Sequence, residues 1–216
     1  MSKQTIWNEL KRRGFSDIAV AAIMGNMEGE SNCISNRVQG DFTKGYQRSV
    51  QYTAQVDAGN IDRHEFIHSG PGGGGYGLAQ WTLQSRKAGL YNLAKKMGTS
   101  VGDEAMQIEW LYQELQLSEY RTVREILEKS PSIRECSDVI VKIYERPADQ
   151  SEAVLRQRAE FGRAMYQEFS KGEAEDPEGI PDDKTIKITE EDLKTYTKAV
   201  LIVKTLKDLL SLLQEA

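Results

Sequence analysis

Residues 18–31, with the sequence Ile-Ala-Val-Ala-Ala-Ile-Met-Gly-Asn-Met-Glu-Gly-Glu-Ser, decide the fold of this chain. The first seven residues are apolar around the whole circumference of a helix, and a helix without a polar face is normally buried. Ser16 and Asp17 supply an N-cap and a first-turn acid just before the run, which predicts that the helix begins there. The sequence therefore predicts a central buried helix, and its far end carries the carboxylates Glu28 and Glu30.

Helical periodicity continues on both sides of this central helix, whereas residues 33–82 lack it. We predict further helices over residues 3–13, 83–97, 103–117, 123–127, 134–145 and 151–169. Residues 33–82 are rich in Gly, Asn, Asp and Ser, a composition typical of turns, short strands and short helices. These patterns predict one mainly α-helical domain over residues 1–170, with a small irregular or β subregion in its first half.

The end of the chain differs in composition from the body. Residues 171–187 combine Gly, Pro and many acids, which predicts an acidic linker. Residues 188–216 carry apolar side chains at alternating spacings of three and four, which predicts an amphipathic C-terminal helix with a heptad stripe. We interpret this helix as an element for forming a homo-oligomer, and packing against the body is the alternative.

The composition disfavours several classes of protein. Of the 216 residues, 39% are hydrophobic, which is enough for a sizeable core. No segment approaches the roughly 20 apolar residues that a membrane-spanning helix needs, and no basic patch indicates a nucleic-acid partner. Residues 1–9 lack the apolar core of a signal peptide, which predicts a protein kept in a cytoplasm until another factor releases it. Cys33 and Cys136 are therefore expected to be reduced thiols.

Glu30 is the candidate proton donor of the chain. Glu28 and Glu30 are two residues apart, so on a helix they point to different sides. Glu30 shares the face of Ile23 and Met27, and an apolar neighbourhood raises the pKa of a carboxyl group and keeps its proton on at neutral pH. The alternative is that Glu30 caps or salt-bridges the end of the helix.

A second motif, Gly75-Tyr76-Gly77-Leu78-Ala79-Gln80-Trp81, follows some forty-five residues later. Its aromatic and amide side chains favour the wall of a sugar-binding groove, with contacts by stacking and hydrogen bonding. We predict Tyr76, Gly77, Gln80 and Trp81 as substrate-binding residues. Core packing is the alternative, and for Trp81 it is at least as well supported.

These two motifs, together with Tyr144-Glu145-Arg146-Pro147, resemble the phage tail lysozyme and endolysin muramidase family. That family belongs to the lysozyme-like superfamily and is related to goose-type lysozymes and soluble lytic transglycosylases. The resemblance covers about residues 5–170 and implies a lysozyme-like α+β catalytic domain. In those enzymes a Glu-Ser pair closes a buried helix and its Glu is the acid, which maps onto Glu30 and Ser31 here, and Ser31 is predicted as a further substrate-binding residue. The Gly-Tyr-Gly-Leu-Ala-Gln part of the second motif resembles the groove-lining strand of the family.

The resemblance implies an enzyme that cleaves the β-1,4 bond between N-acetylmuramic acid and N-acetylglucosamine in bacterial peptidoglycan. No metal or nucleotide cofactor is expected. The implied protein is a phage lysin that reaches the cell wall from the host cytoplasm, with a virion-borne enzyme as the alternative. A lytic transglycosylase acting on the same bond also fits these motifs.

Glycoside hydrolysis usually needs a second carboxylate, acting as a base or a nucleophile. Asp41 and Asp57 lie in polar turns beyond Glu30, where goose-type relatives resemble this chain in placing helper acids. We favour Asp41 as the second catalytic carboxylate, with Asp57 second. Ordinary turn formation is an equally supported interpretation of both aspartates. The resemblance also implies that Tyr144 leans on the site, whereas Glu145 and Arg146 are expected to form a structural turn.

Two further patterns match known motifs. His64-Glu65-Phe66-Ile67-His68 fits the zinc peptidase signature, so a zinc peptidoglycan endopeptidase using both histidines is an alternative. The Ser69-Gly70-Pro71 segment that follows would end any helix at once, which favours a chance match.

Gly72-x-Gly74-x-x-Gly77 fits a dinucleotide fingerprint but has no βαβ pattern around it. A glycan-binding or assembly module without catalysis is the remaining alternative.

Overall fold

A computed structural model describes residues 3–68, 74–130 and 132–170, and it builds most of them into helices. The α-helices are α1 Lys3–Arg12, α2 Asp17–Ser31, α3 Gln47–Asp57, α4 Arg63–His68, α5 Gln84–Met97, α6 Glu104–Leu115, α7 Arg121–Lys129, α8 Ile133–Val139 and α9 Glu152–Phe169. Two 3₁₀ turns, Lys44–Tyr46 and Ser118–Tyr120, precede α3 and α7, and the π-helical segment Ile140–Glu145 continues α8. The prediction of a mainly α-helical fold is confirmed.

The predicted central helix is α2. The side chain of Ser16 accepts a hydrogen bond from the backbone N–H of Ala19 and starts the helix, as the sequence predicts. Residues 19–27 are all buried, which agrees with the apolar circumference of this run. Asn32 adopts the left-handed conformation, with φ 57°, and its backbone N–H closes the last turn beside Glu30 and Ser31.

Glycines let α2 and α9 approach closely. A Cβ atom on Gly25 would lie 2.4 Å from the backbone nitrogen of Gly162 and 2.6 Å from the carbonyl oxygen of Arg158. The two backbones are therefore in direct contact, and only glycine leaves room for that crossing. This packing carries residues of α9 to the C-terminal end of α2.

The region expected to be irregular or β is formed by α3, α4 and turns. Within its described residues the β structure amounts to two isolated antiparallel bridges, Val38 to Tyr76 and Tyr76 to Trp81. The prediction of a groove-lining strand at Gly75–Trp81 is therefore wrong. Gly77 and Gln80 have φ angles of 81° and 45°, and these left-handed conformations fold the segment into a tight turn instead of an extended strand.

Two sequence predictions concern the C-terminal end of the chain. The predicted linker at 171–187 and the predicted helix at 188–216 lie outside the described residues, so both stay predictions.

Within the described part of the chain no helix combines the length and apolarity that crossing a membrane would require. Cys33 and Cys136 are both buried and reduced, as expected.

Candidate active site

A cavity of about 680 Å³ opens at the C-terminal end of α2. This volume lies in the range of pockets that hold small organic ligands. Its wall combines polar, aromatic and charged groups from distant parts of the chain: Glu30, Gln39, Ala79, Gln80, Thr82, Leu83, Arg86, Tyr120, Tyr144, Glu145, Arg146, Pro147 and Ala148. The predicted acid and the predicted glutamine ligand therefore lie in one concave site.

Glu30 lies in this wall with 18% of its side chain exposed. Burial raises the pKa of Glu30, and the positive charge of Arg158 lowers it by less, so the pKa stays above its ordinary value. Arg158 donates from Nη2 to Oε1 of Glu30 over 2.5 Å and from Nη1 to the carbonyl oxygen of Asn26 over 2.9 Å. The direction of the shift agrees with the sequence prediction. The ion pair is the salt-bridging alternative stated for Glu30, with Arg158 as a partner that the sequence did not indicate.

Gly29 makes this ion pair sterically feasible. A Cβ atom at Gly29 would lie 1.4 Å from Nη1 of Arg158 and 2.2 Å from its Cζ. The guanidinium group therefore occupies the space that any other side chain at this position would fill. Because Arg158 comes from α9, the fit depends on the close crossing of α2 and α9 described above.

Glu145 faces Glu30 across the same corner of the cavity. Its carboxyl group lies within hydrogen-bonding reach of Glu30, and its buried Oε2 receives no hydrogen bond from any donor in the described residues. Burial first, and then the negative charge of Glu30, raise the pKa of Glu145 to about 8. The interpretation of Glu145 as part of a structural turn is corrected. It ends the π-helical segment, and Arg146, at φ 52°, ends the helix after it.

A buried ionic network supports the floor of the cavity. Glu114, with 1% of its side chain exposed, accepts from Nε of Arg86 over 2.6 Å, from Nε1 of Trp81 over 2.7 Å and from the hydroxyl of Tyr144 over 2.5 Å. The guanidinium of Arg86 also lies over the ring of Tyr144, with 4.3 Å to the centroid. These contacts fix the aromatic wall next to Glu145, and sequence patterns indicated neither Arg86 nor Glu114.

Asp41, the favoured second carboxylate, is a structural residue and does not line the cavity. Its side chain is fully buried and accepts four hydrogen bonds, from the backbone N–H and hydroxyl of both Thr43 and Ser49. Burial alone would raise the pKa of Asp41, but these hydrogen bonds outweigh it and hold the pKa well below its usual range. The carboxylate is occupied in anchoring the start of α3.

Asp57 also lies away from the cavity wall. It accepts hydrogen bonds from the hydroxyl of Ser100 and the backbone N–H of Val101, and thereby ties the end of α3 to the turn before α6. Both aspartates thus follow the turn-forming alternative, and neither adjoins Glu30 in the cavity.

Four of the predicted substrate ligands are buried parts of the framework. Tyr76 is 1% exposed and shares a hydrogen bond with Thr53, and Trp81 is fully buried against Glu114. Ser31 donates to the carbonyl oxygens of Met27 and Leu78 and so joins α2 to the turn. Gly77 leaves room for Gln107, whose Oε1 would lie 2.6 Å from a Cβ atom there. None of these four residues belongs to the cavity wall, and their observed contacts are those of core packing, the alternative interpretation.

Gln80 and Tyr144 do line the cavity, as predicted. The Nε2 of Gln80 donates to the carbonyl oxygens of Arg37 and Gly77, which holds the amide in place. Its Oε1 accepts no hydrogen bond from the described residues. Tyr144 presents its ring to the wall while its hydroxyl is bound to Glu114.

The two histidines of the zinc-peptidase motif share one face of α4, with their ring centroids 4.2 Å apart. Both are exposed, and neither belongs to the wall that holds Glu30. In the part of the chain that the structure describes, no group of three or more His, Cys, Asp and Glu side chains is arranged to hold a metal ion. The motif therefore supplies two adjacent imidazoles and no third ligand among these residues.

Comparison with known proteins adds one match. The sequence profile of the family described as phage tail lysozyme matches residues 2–169. No curated protein matches the sequence. The matched range includes every residue of the cavity wall and ends where α9 ends.

Proposed function

The chain belongs to the phage tail lysozyme family, and on this basis we propose that it cleaves the β-1,4 bond between N-acetylmuramic acid and N-acetylglucosamine, with Glu30 as general acid. The family implies a peptidoglycan-cleaving enzyme. The observation that carries the specific proposal is the position of Glu30: a partly exposed carboxyl group with a raised pKa, at the wall of a cavity that can hold sugar units.

The proposed acid step uses the proton of Glu30. A carboxyl group whose pKa is raised by burial holds its proton more firmly until the glycosidic oxygen begins to leave, and it then transfers that proton to the oxygen. The carboxylate that results lies 2.5 Å from Arg158. A charge-assisted hydrogen bond of this kind strengthens as negative charge develops, so Arg158 stabilises the transition state more than the ground state.

The described wall favours a site with a single substrate-facing acid. Glu30 and Glu145 are the carboxylates among the lining residues in the described ranges, and they are in hydrogen-bonding reach of each other. Retaining and inverting glycosidases hold their carboxyl groups about 5–5.5 Å and about 6.5–9.5 Å apart, on opposite faces of the sugar. No sugar ring fits between Glu30 and Glu145, so Glu145 is neither the opposing base nor the nucleophile.

This arrangement also favours a second candidate function, lytic transglycosylation of the same bond. In that reaction the sugar closes on itself and one protein acid suffices, so an opposing carboxylate is not needed. The cavity, Glu30 and Arg158 would serve both reactions in the same way, and the two differ only in what attacks the cleaved sugar.

Product analysis separates these functions. Purified full-length protein is incubated with peptidoglycan, and the fragments are examined by mass spectrometry and by assays for new reducing ends and new amines. A muramidase gives reducing N-acetylmuramic acid ends, whereas a transglycosylase gives anhydro ends that are lighter by one water. New amines without glycan cleavage would support the endopeptidase, and binding without turnover would support a non-catalytic module. Either of these last two results would refute the proposed function.

A further inference from the structure

Glu145 is a half-buried residue with one buried carboxyl oxygen, and the acid step described above does not use it. It lies in the cavity wall beside Glu30, at the end of the π-helical segment, and its Oε2 has no donor among the described residues. A buried carboxylate oxygen without a hydrogen bond is costly. A proton shared between the two carboxyl groups would place a hydrogen bond where two adjacent carboxylates would otherwise repel each other.

We propose that Glu30 and Glu145 hold one proton between them at neutral pH, and that Glu145 is a positioning residue that keeps this proton available to Glu30 for transfer. This inference rests on the proposed function, since it describes how the same acid is kept protonated. It concerns the Glu30–Glu145 pair, a contact that neither the fold nor the family assignment requires.

The charges around the pair support a single shared proton. Two adjacent carboxyl groups resist ionising together, because the second negative charge is repelled by the first. Glu30 comes from α2, and it is faced by Arg158 from α9 and by Glu145. Glu145 is faced by Glu30, Arg158 and Arg86, and the charge of Arg86 from α5 is already paired with Glu114 from α6. Among the described residues, Arg158 is the positive charge that acts on both carboxyl groups and is not paired with a further acid. One positive charge thus balances one negative charge, which favours keeping the second carboxyl group protonated.

The proton transfer balances without any further group. In the resting pair one carboxyl group is protonated and the other is ionised against Arg158. On bond cleavage the C–O electron pair goes to the glycosidic oxygen, and the shared proton passes through Glu30 to that oxygen. Both carboxylates are then ionised, next to the positive charge that develops on the sugar. A solvent proton restores the pair after the product leaves.

The sign of the pH dependence follows from these charges. The pair loses its shared proton as a unit, and burial together with the charge of Glu30 raises the pKa of Glu145 to about 8. The wild-type enzyme should therefore lose activity as the pH rises through about 8. With Glu145→Gln no second negative charge opposes ionisation of Glu30, while Arg158 still favours it. Activity should then be lost at lower pH.

The test is the pH profile of kcat/KM on peptidoglycan fragments for the wild type and Glu145→Gln. Glu160→Gln, the same change at an exposed position on α9, is the matched control and should leave the profile unchanged. We expect Glu145→Gln to retain most of the activity at acidic pH and to move the alkaline limb down by about one pH unit or more, a tenfold change in proton affinity. A profile that is unshifted, or lowered equally at every pH as for a structural defect, would overturn the proposal.

A measurement on the unmodified protein covers the case in which Glu145→Gln does not fold. The carboxyl resonances of ¹³C-labelled glutamate are followed by NMR during a pH titration of the full chain. The expected result is one carboxyl pair that keeps a proton above pH 7, whereas complete ionisation of all glutamates by pH 6 would contradict the inference. This outcome is independent of product chemistry, so a failure of the proposed function and a failure of the shared proton can be told apart.

Discussion

The substitution Gly29→Ala tests how the fold equips Glu30. The new Cβ atom would lie 1.4 Å from Nη1 of Arg158, so the guanidinium must leave its place. The clashing atoms belong to the end of a flexible side chain, and the helix backbone need not move. The change therefore removes the 2.5 Å contact between Arg158 and Glu30 while the crossing of α2 and α9 is kept.

The expected effect is large on activity and small on stability. A hydrogen bond to a charged group contributes about 1.5–3 kcal/mol, which corresponds to a loss of about 10- to 150-fold in kcat/KM if the bond acts in the transition state. Alanine is favoured over glycine inside a helix by about 1 kcal/mol, which offsets part of the lost pairing. The loss of the positive charge should also raise the pKa of Glu30 further, so the alkaline limb of the activity should move upwards.

Gly25→Ala is the matched control, because there the clash is with backbone. Its Cβ atom would lie 2.4 Å from the nitrogen of Gly162, and neither helix can yield without separating. Overpacking of this kind costs about 1–3 kcal/mol or more, which lowers the melting temperature by about 2–12 °C in a domain of this size. Circular dichroism melts and initial rates are measured on both variants. Full activity in Gly29→Ala, or a larger loss of stability than in Gly25→Ala, would refute this reasoning.

Three further substitutions test residues of the framework around the cavity. Ser31→Ala removes a buried hydroxyl that binds the carbonyl oxygen of Leu78, so urea melts should show a loss of about 1–3 kcal/mol with unchanged kcat/KM; a selective loss of kcat/KM would restore Ser31 as a substrate ligand. Asp41→Asn should be destabilising at pH 7, because a carboxylate whose folded pKa is depressed stabilises the fold above its ordinary pKa of 3.8 and loses that effect as the pH falls through the folded value. The difference from wild type in thermal melts should therefore shrink in acid, and a constant difference would contradict the assignment. Glu114→Gln leaves the buried charge of Arg86 unpaired and should cost about 3–5 kcal/mol in chemical denaturation, whereas a neutral result would show that the network is not needed.

The fold was predictable wherever the pattern is local. The apolar circumference of residues 18–24 and the cap at Ser16 determine a buried helix and its start, and the structure confirms both. The spacing of Glu30 from Ile23 and Met27 also indicated the right direction for its pKa. The resemblance implies a strand at Gly75–Trp81, and the observed tight turn depends on left-handed residues that composition alone does not reveal.

The site was predictable only in part, because its electrostatics come from distant residues. Arg158 is 128 positions from Glu30, and no periodicity connects an arginine on the last described helix with an acid on the second. The sequence predicts a structural turn at Glu145. Its position beside another carboxyl group depends on the tertiary fold, which the local sequence does not reveal. Asp41 and Trp81 show the opposite error: residue types typical of function are occupied by hydrogen bonds inside the framework.

Glu30→Gln is the most direct test of the central claim. Glutamine keeps the shape of the side chain and an oxygen that can accept from Arg158, but it cannot donate an acidic proton. Glycan cleavage by the purified variant is measured as new chain ends from peptidoglycan, alongside its melting temperature. Because a general acid contributes about 10²- to 10⁴-fold, we predict a loss of at least about 100-fold with an unchanged fold. Cleavage at the wild-type rate by a folded Glu30→Gln protein would contradict the assignment of Glu30 as the acid.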